Sequence, residues 1–257
     1  MKISLDETII EIERSGFNEL KKDYLRVRDL LLNEKIIIVR DYFDTEWCHK
    51  LTNYLAIIGK NSLPNYYPIT DSTPNFHRIN NEDPRSYIKG IFHQFNFFPW
   101  NQDIFSIFEV CYELFEFKNL ANGRQKNNFM THADDDCTAR VSVQFYPSGG
   151  GYLKAHKDPV GQHQLVLPSI TLSDKGADYK EGGLYVVNSQ GVYIDLDSKL
   201  RKGDVVLFNP NLIHEVKPID PTHELDWLEF KGRWMLFLAV NKLNNNESIP
   251  NSIEISR

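Results

Sequence analysis

The period of the hydrophobic pattern changes near residue 138, and that change limits the available folds more than any other feature of the chain. Upstream, apolar residues recur every three or four positions. Downstream they alternate every second residue in short runs, 139–146, 165–172, 183–187, 192–196, 204–208, 213–216 and 234–240. Clusters rich in Gly, Pro and Asn separate the runs at 147–151, 180–183, 202–203 and 209–211. Many short strands divided by turn chemistry predict an antiparallel sandwich or barrel, so the chain is read as a helical and loop-rich first half followed by a sheet core.

Within the first half, Leu20, Tyr24, Val27 and Leu31 mark one buried face of a helix over 18–33. The β-branched run at 35–40 predicts a buried strand, and Asp44 is placed to cap a helix over 45–58. Residues 61–99 carry Pro64, Pro68, Pro74, Pro84 and Pro99 without a sustained period, which predicts loop. Asn101 then caps a helix over 102–117 with a core stripe of Ile104, Phe105, Phe108, Cys111, Tyr112 and Phe115. The polar run at 244–248 is expected to fray. Together these give one domain over 1–257, with support at 1–137, a β core at 138–241 and a polar tail at 242–257.

Composition narrows the class of function. Of 257 residues, 29 are Lys or Arg and 35 are Asp or Glu, for a formal charge of −6. No global positive field draws the chain to nucleic acid or to anionic lipid. Cys48, Cys111 and Cys137 are odd in number and show no ligand spacing, which fits a reducing compartment rather than a disulfide framework. With no apolar run of spanning length and no signal-peptide core at Met1, the expectation is a cytoplasmic protein acting on a small molecule. A homodimer is the protein partner expected.

Two residues apart on an extended strand, a His and an Asp point to the same side and can grip one ion. Eight histidines and 35 acidic residues among 257 positions give roughly one His-x-Asp match by chance, and the chain has two. His132-Ala-Asp134 lies in an acidic loop and reads as a solvated turn. His156-Lys-Asp158 instead ends a strand reached through the 147–151 turn, with Pro159 stopping the strand beyond it. His214 follows a later turn and hydrophobic strand, and supplies a third ligand. Two His and one Asp leave three adjacent positions open on an octahedral ion, which suits non-haem Fe(II) working with a co-substrate and O₂. Arg233 opens the apolar strand 234–240, and a guanidinium aimed into a barrel suits the distal carboxylate of a 2-oxo diacid. Tyr146 is placed to add a phenolic hydrogen bond. Substrate-binding candidates are His77, Arg78, Arg85, Trp100 and Arg140, with Arg78 or Arg140 placed to bind a substrate carboxylate.

These residues resemble the Fe(II)/2-oxoglutarate-dependent dioxygenases, in particular the branch similar to prolyl 4-hydroxylases. The resemblance covers about 139–241. It rests on Tyr146-Pro147, Tyr152, His156-x-Asp158, Gly182-Gly183-Leu184, Lys202-Gly203-Asp204 before Leu207-Phe208, and His214-Glu-Val-x-Pro218 followed by Arg233. It implies a double-stranded β-helix (jelly-roll, cupin-like) core in a mainly β, α+β chain. It also implies iron on His156, Asp158 and His214, and 2-oxoglutarate on Arg233 with Tyr146 as helper. One departure is that the link 219–231 between His214 and Arg233 is longer than in that branch. The implied reaction is hydroxylation of an unactivated C–H with release of succinate and CO₂. Asp158 fills the position that related halogenases free for chloride. The substrate is expected to be an amino acid, a peptide-like compound or a natural-product metabolite. The alternatives are a prolyl-type protein hydroxylase and a cupin-like metal- or sugar-binding module without oxygen chemistry.

Overall fold

The computed structural model describes residues 8–158 and 164–256; Pro159 and the first seven residues lie outside them. In chain order the elements are β1 (Ile9–Glu13), α1 (Arg14–Leu20), a 3₁₀ turn (Lys21–Asp23), α2 (Tyr24–Leu32), β2 (Ile36–Arg40), α3 (Thr45–Asn61), β3 (Phe76–Asn81), β4 (Gly90–Phe97) and α4 (Ile107–Ala121). The β region follows with β5 (Cys137–Pro147), β6 (Gly151–Lys157), β7 (Leu167–Thr171), β8 (Gly183–Val187), β9 (Tyr193–Asp195), β10 (Val205–Phe208), β11 (Ile213–Ile219), β12 (Gly232–Lys242) and β13 (Ile253–Glu254).

Strands β5 to β12 fall into two four-stranded halves, β10-β7-β12-β5 and β6-β11-β8-β9, and most successive strands switch from one half to the other. That alternation is the double-stranded β-helix. The chain's own pattern explains which face looks where. On β5, Val141, Val143 and Phe145 pack in the cluster shared with the helices, whereas Arg140, Gln144 and Tyr146 line the cavity between the two halves. On β12, Trp234, Leu236, Leu238 and Val240 join the same helical core, while Met235, Phe237 and Ala239 line the cavity. The strand pair is therefore greasy toward the helices and mixed toward the interior, a period-two division read directly from the sequence.

Strand β2 extends the first half between β1 and β10 and is buried along its whole length. Ile37 and Val39 serve the helical core and Ile36 and Ile38 a second core, which is why the run is continuously apolar rather than alternating. Asp44 caps α3 as expected, its carboxylate accepting from the Glu46 amide at 2.6 Å.

Four local expectations are corrected. The single helix over 18–33 is divided by the 3₁₀ turn, because Asp23 accepts from the Arg26 amide and starts α2 afresh. The predicted loop at 61–99 contains β3 and β4, and β4 lies between β5 and β6. Its cavity face carries Gln94 and Asn96, so polarity hid a strand that a hydrophobic alternation would have announced. Helix α4 starts at Ile107 rather than Gln102: the Asp103 carboxylate accepts from the Ile107 and Phe108 amides, leaving Ile104 exposed. The tail does not fray. β13 pairs with β6, and Asn246 is buried with its amide on the Asp136 carbonyl at 3.2 Å. The long 219–231 link packs on the 147–151 turn, where the Ser148 and Gly149 amides donate to the Lys231 and Asp220 carbonyls. There Phe230 fits against the bare Cα of Gly59 and stacks beside Phe145 and Trp234.

Candidate active site

The cavity between the two halves has a volume of about 540 Å³. His156 at the end of β6 and His214 at the start of β11 are directly opposed in the antiparallel register. Asp158 follows one residue past the end of β6, its amide fixed on the Pro210 carbonyl at 3.0 Å. The three side chains converge so that one ligand atom of each lies within 4.8 Å of the others. Asp158 stands 3.9 Å from His156 Nε2 and 3.7 Å from His214 Nε2, within reach of one ion at usual bond lengths of about 2.1 Å.

Both imidazoles are oriented for ligation. His156 Nδ1 is 2.7 Å from the Lys154 carbonyl and His214 Nδ1 is 2.9 Å from the Leu212 carbonyl. A Nδ1–H donated to a carbonyl leaves Nε2 with its lone pair free for a metal. Burial, helped by the neighbouring His214, pushes His156 down to about 4, so the ring is neutral at physiological pH. Burial alone would raise the Asp158 carboxyl, but His214 and His156 outweigh it and hold it well below the usual range. Ser252 from the tail donates to Asp158 Oδ1 at 2.5 Å, a positioning contact that no local pattern in the chain announces. Two imidazoles with Nε2 turned inward and one carboxylate fit a divalent transition metal.

Arg233 sits in a more self-contained setting than the sequence suggests. Its Nε and Nη2 donate to the two oxygens of Asp197 at 2.5 and 3.0 Å. Asp197 also accepts from Tyr179 Oη at 2.6 Å and from the Leu184 amide at 2.9 Å. Gly183 makes this approach feasible, since a Cβ there would collide with Asp197 Oδ2. Although burial alone would lower Arg233 and raise Asp197, their attraction prevails and keeps both charged. Arg233 Nη1 is buried without a hydrogen-bond partner among the described residues. Tyr146 lies between this pair and the cavity: its ring is 5.6 Å from the guanidinium carbon and its hydroxyl donates to Gln144 Oε1 at 2.5 Å. Arg233 itself is not among the residues lining the cavity, while Tyr146 and Gln144 are.

Among the substrate candidates, Arg78 and Arg140 line the cavity and His77 and Trp100 do not. On β3, Arg78 and Asn80 take the cavity face; His77 takes the other, stacked on Phe95 and 2.9 Å from His93. Trp100 stacks on Phe98 and donates to the Thr73 carbonyl. Arg85 is exposed on Asp83. His132 and Asp134 are both exposed, in a turn where the Asn128 amide reaches the Asp134 carboxylate. Asp204 of the Lys-Gly-Asp segment is structural, holding Arg40 and the amides of Asp41 and Arg201.

No protein-family model and no curated protein matches the chain. Solved structures do match in fold. A C-terminally truncated Neurospora crassa protein in its apo form superposes with a TM-score of 0.57 at 11% identity, over 94% of this chain and 99% of that one; the full-length form of that protein is also solved in complex with alpha-KG and thymine. A Pseudomonas putida prolyl-4-hydroxylase gives 0.50 at 14%, over 85% and 98%. The Arabidopsis thaliana dioxygenase for auxin oxidation 1, in complex with 2-oxoglutarate, gives 0.52 at 11%, over 94% of each chain. The chain therefore has the double-stranded β-helix fold of the Fe(II)/2-oxoglutarate-dependent dioxygenases, the fold that the sequence resemblance implies. Among the described residues, no helix is long and apolar enough to cross a membrane.

Proposed function

We propose that the chain is an Fe(II)- and 2-oxoglutarate-dependent dioxygenase that hydroxylates an unactivated C–H of a small molecule. One observation carries the reading: on the wall of the cavity, two Nε2 atoms and one carboxylate converge, each imidazole held by a carbonyl behind it. His156, Asp158 and His214 would hold the metal. A ferrous ion with 2-oxoglutarate and O₂ supplies the oxidising power for the insertion and leaves succinate and CO₂.

The chain's own residues bind, orient and exclude water. Tyr146 on the cavity wall, its hydroxyl turned from Gln144, and the Nη1 of Arg233 behind it would take the distal carboxylate of the co-substrate, with Asp197 fixing the plane of the guanidinium. Because Asp197 already meets one full charge, the co-substrate would be held there by directed hydrogen bonds more than by net attraction. The apolar cavity wall, Leu184, Val216, Met235 and Phe237, keeps the reacting carbon dry and positioned. With Asp158 present as a ligand, the reading favours hydroxylation over halogenation. The single domain over 1–257, with its helical support, and a reducing cytoplasmic setting belong to the same proposal; the three cysteines are buried and free.

The test is anaerobic addition of Fe(II) and then 2-oxoglutarate, which should give a weak visible charge-transfer band near about 500 nm. Aerobic screening of amino acids and metabolites should then find compounds that stimulate succinate release. Asp158→Ala and His214→Ala should each cut that release by at least about a hundredfold, beyond the loss expected for a mere partner of a ligand. A zinc- or sugar-binding module shows neither the band nor the release.

A further inference from the structure

The guanidinium groups drawn into the β core divide into two kinds. Arg40 is met by Glu11 and Asp204, and Arg233 by Asp197. Arg78 and Arg140 form no ion pair among the described residues, although each has its Nε shut off from solvent without a hydrogen-bond partner. Both line the cavity and keep some accessible surface there. An unpaired guanidinium away from water is expensive, and here two lie close enough to repel each other. Burial first, then the charge of Arg78, pushes Arg140 down to about 9, and burial likewise lowers Arg78. Asp158 reaches Arg140 electrostatically, but that carboxylate is committed to the triad. Glu215 and Glu247 also line the cavity and pair with neither arginine.

Their surroundings present rings to the guanidinium faces. Phe237 lies 5.5 Å from the Arg140 guanidinium carbon, and Tyr66 lies 5.2 Å from that of Arg78 and also takes a side-chain hydrogen bond from it, with the charge of Asp83 adding a weaker attraction. The Nε edges of both remain for an acceptor, the geometry that grips an oxyanion with parallel hydrogen bonds. Position separates this pair from the co-substrate's end. Arg140 is opposite Ala239 and Tyr146 is opposite Arg233 on the same two strands, six residues apart, or about 20 Å at the usual strand rise. The charge of Asp158 is felt by both Arg140 and Tyr146, which puts the triad between the two ends.

We propose that Arg78 and Arg140 together form an anion subsite, which takes the carboxylate or phosphate of a small molecule whose aromatic or aliphatic body packs on Phe237 and Tyr66. The proposal rests on the oxygenase reading only in naming that molecule the substrate; the subsite belongs to the chain with or without metal.

The experiment is calorimetric titration of the metal-free protein at low ionic strength with phenylacetate, phenyl phosphate and the neutral phenylacetamide. At least one of the two anions should bind at least about tenfold more tightly than the amide, and which one does so assigns carboxylate or phosphate. Arg140→Gln and Arg78→Gln should each weaken that anion by at least about tenfold, the effect of one lost charged hydrogen bond, and Arg140→Lys should recover part of it. Binding should persist with Mn(II) and 2-oxoglutarate added. The melting temperature of ligand-free Arg140→Gln should be unchanged or raised, because no internal partner is lost. The proposal is overturned if neither anion outbinds the amide, if Arg140→Gln binds as the native chain does, or if 2-oxoglutarate displaces the anion. A melting temperature lowered by Arg140→Gln would also overturn it, as the mark of a structural arginine. Since the titration needs no metal, its failure is separable from failure of the oxygenase reading, which is judged by the charge-transfer band and succinate release.

Discussion

The two ends of the barrel interior each carry arginine, buried at one and half-buried at the other, and the protein treats them in opposite ways. At the β12 start, Arg233 is locked on both oxygens of Asp197 and backed by Tyr179. At the other end, Arg140 and Arg78 meet aromatic rings and, among the described residues, form no ion pair. A guanidinium compensated inside the fold is part of the fold, and its ligand role is confined to whatever edge remains. An uncompensated one costs stability in the empty protein and regains it when an anion arrives. The difference assigns the cavity a fixed end and a receptive end, with the triad between.

Removing each arginine in turn tests the contrast. Arg233→Met strands the Asp197 carboxylate in the core and should cost about 3–5 kcal/mol in urea unfolding at pH 7, with the Asp197→Leu double variant recovering much of it. Equal losses for Arg233→Met and Arg140→Met would erase the distinction. Ser252→Ala touches the centre between the two ends. It removes the hydroxyl that steadies Asp158 and should weaken Mn(II) binding about tenfold, read by calorimetry.

The paired histidines on the outer face of β3 and β4 give a background against which either end is measured. Burial lowers His77 to about 4, and burial with the charge of His77 lowers His93 to about 3. The unfolded chain then binds protons that the folded one refuses. Their contribution is complete above pH 6.5 and is lost as pH falls toward 4, at about 1.4 kcal/mol per pH unit for each ring. His93→Phe should flatten the acid limb by one ring's share in urea midpoints taken from pH 7 to 4. The smallest effect is expected from Arg140→Met, within about 1 kcal/mol of the native chain and on the stabilising side.

Much of the β core was legible because one face of each strand pair is apolar. The 139–146 and 234–240 runs became β5 and β12, and the segments around β8, β10 and β11 fell within a few residues of expectation. The His-x-Asp spacing and the later His were legible as well, since two-residue spacing fixes a common side on any extended chain. What escaped was polar or remote. Strand β4 hid because Gln94 and Asn96 face the cavity, and Ser252 and Asp197 carry no local pattern that could announce a contact with Asp158 or Arg233.

Periods, turns and candidate ligand types could be read along the chain, because all of them depend on neighbours a few residues away. Which charges are paired is set by the folded arrangement alone. Whether Asp197 reaches Arg233, or anything reaches Arg140, depends on side chains tens of residues apart closing to within 3 Å. A buried charge is stable or costly according to that distance and not according to its place in the chain.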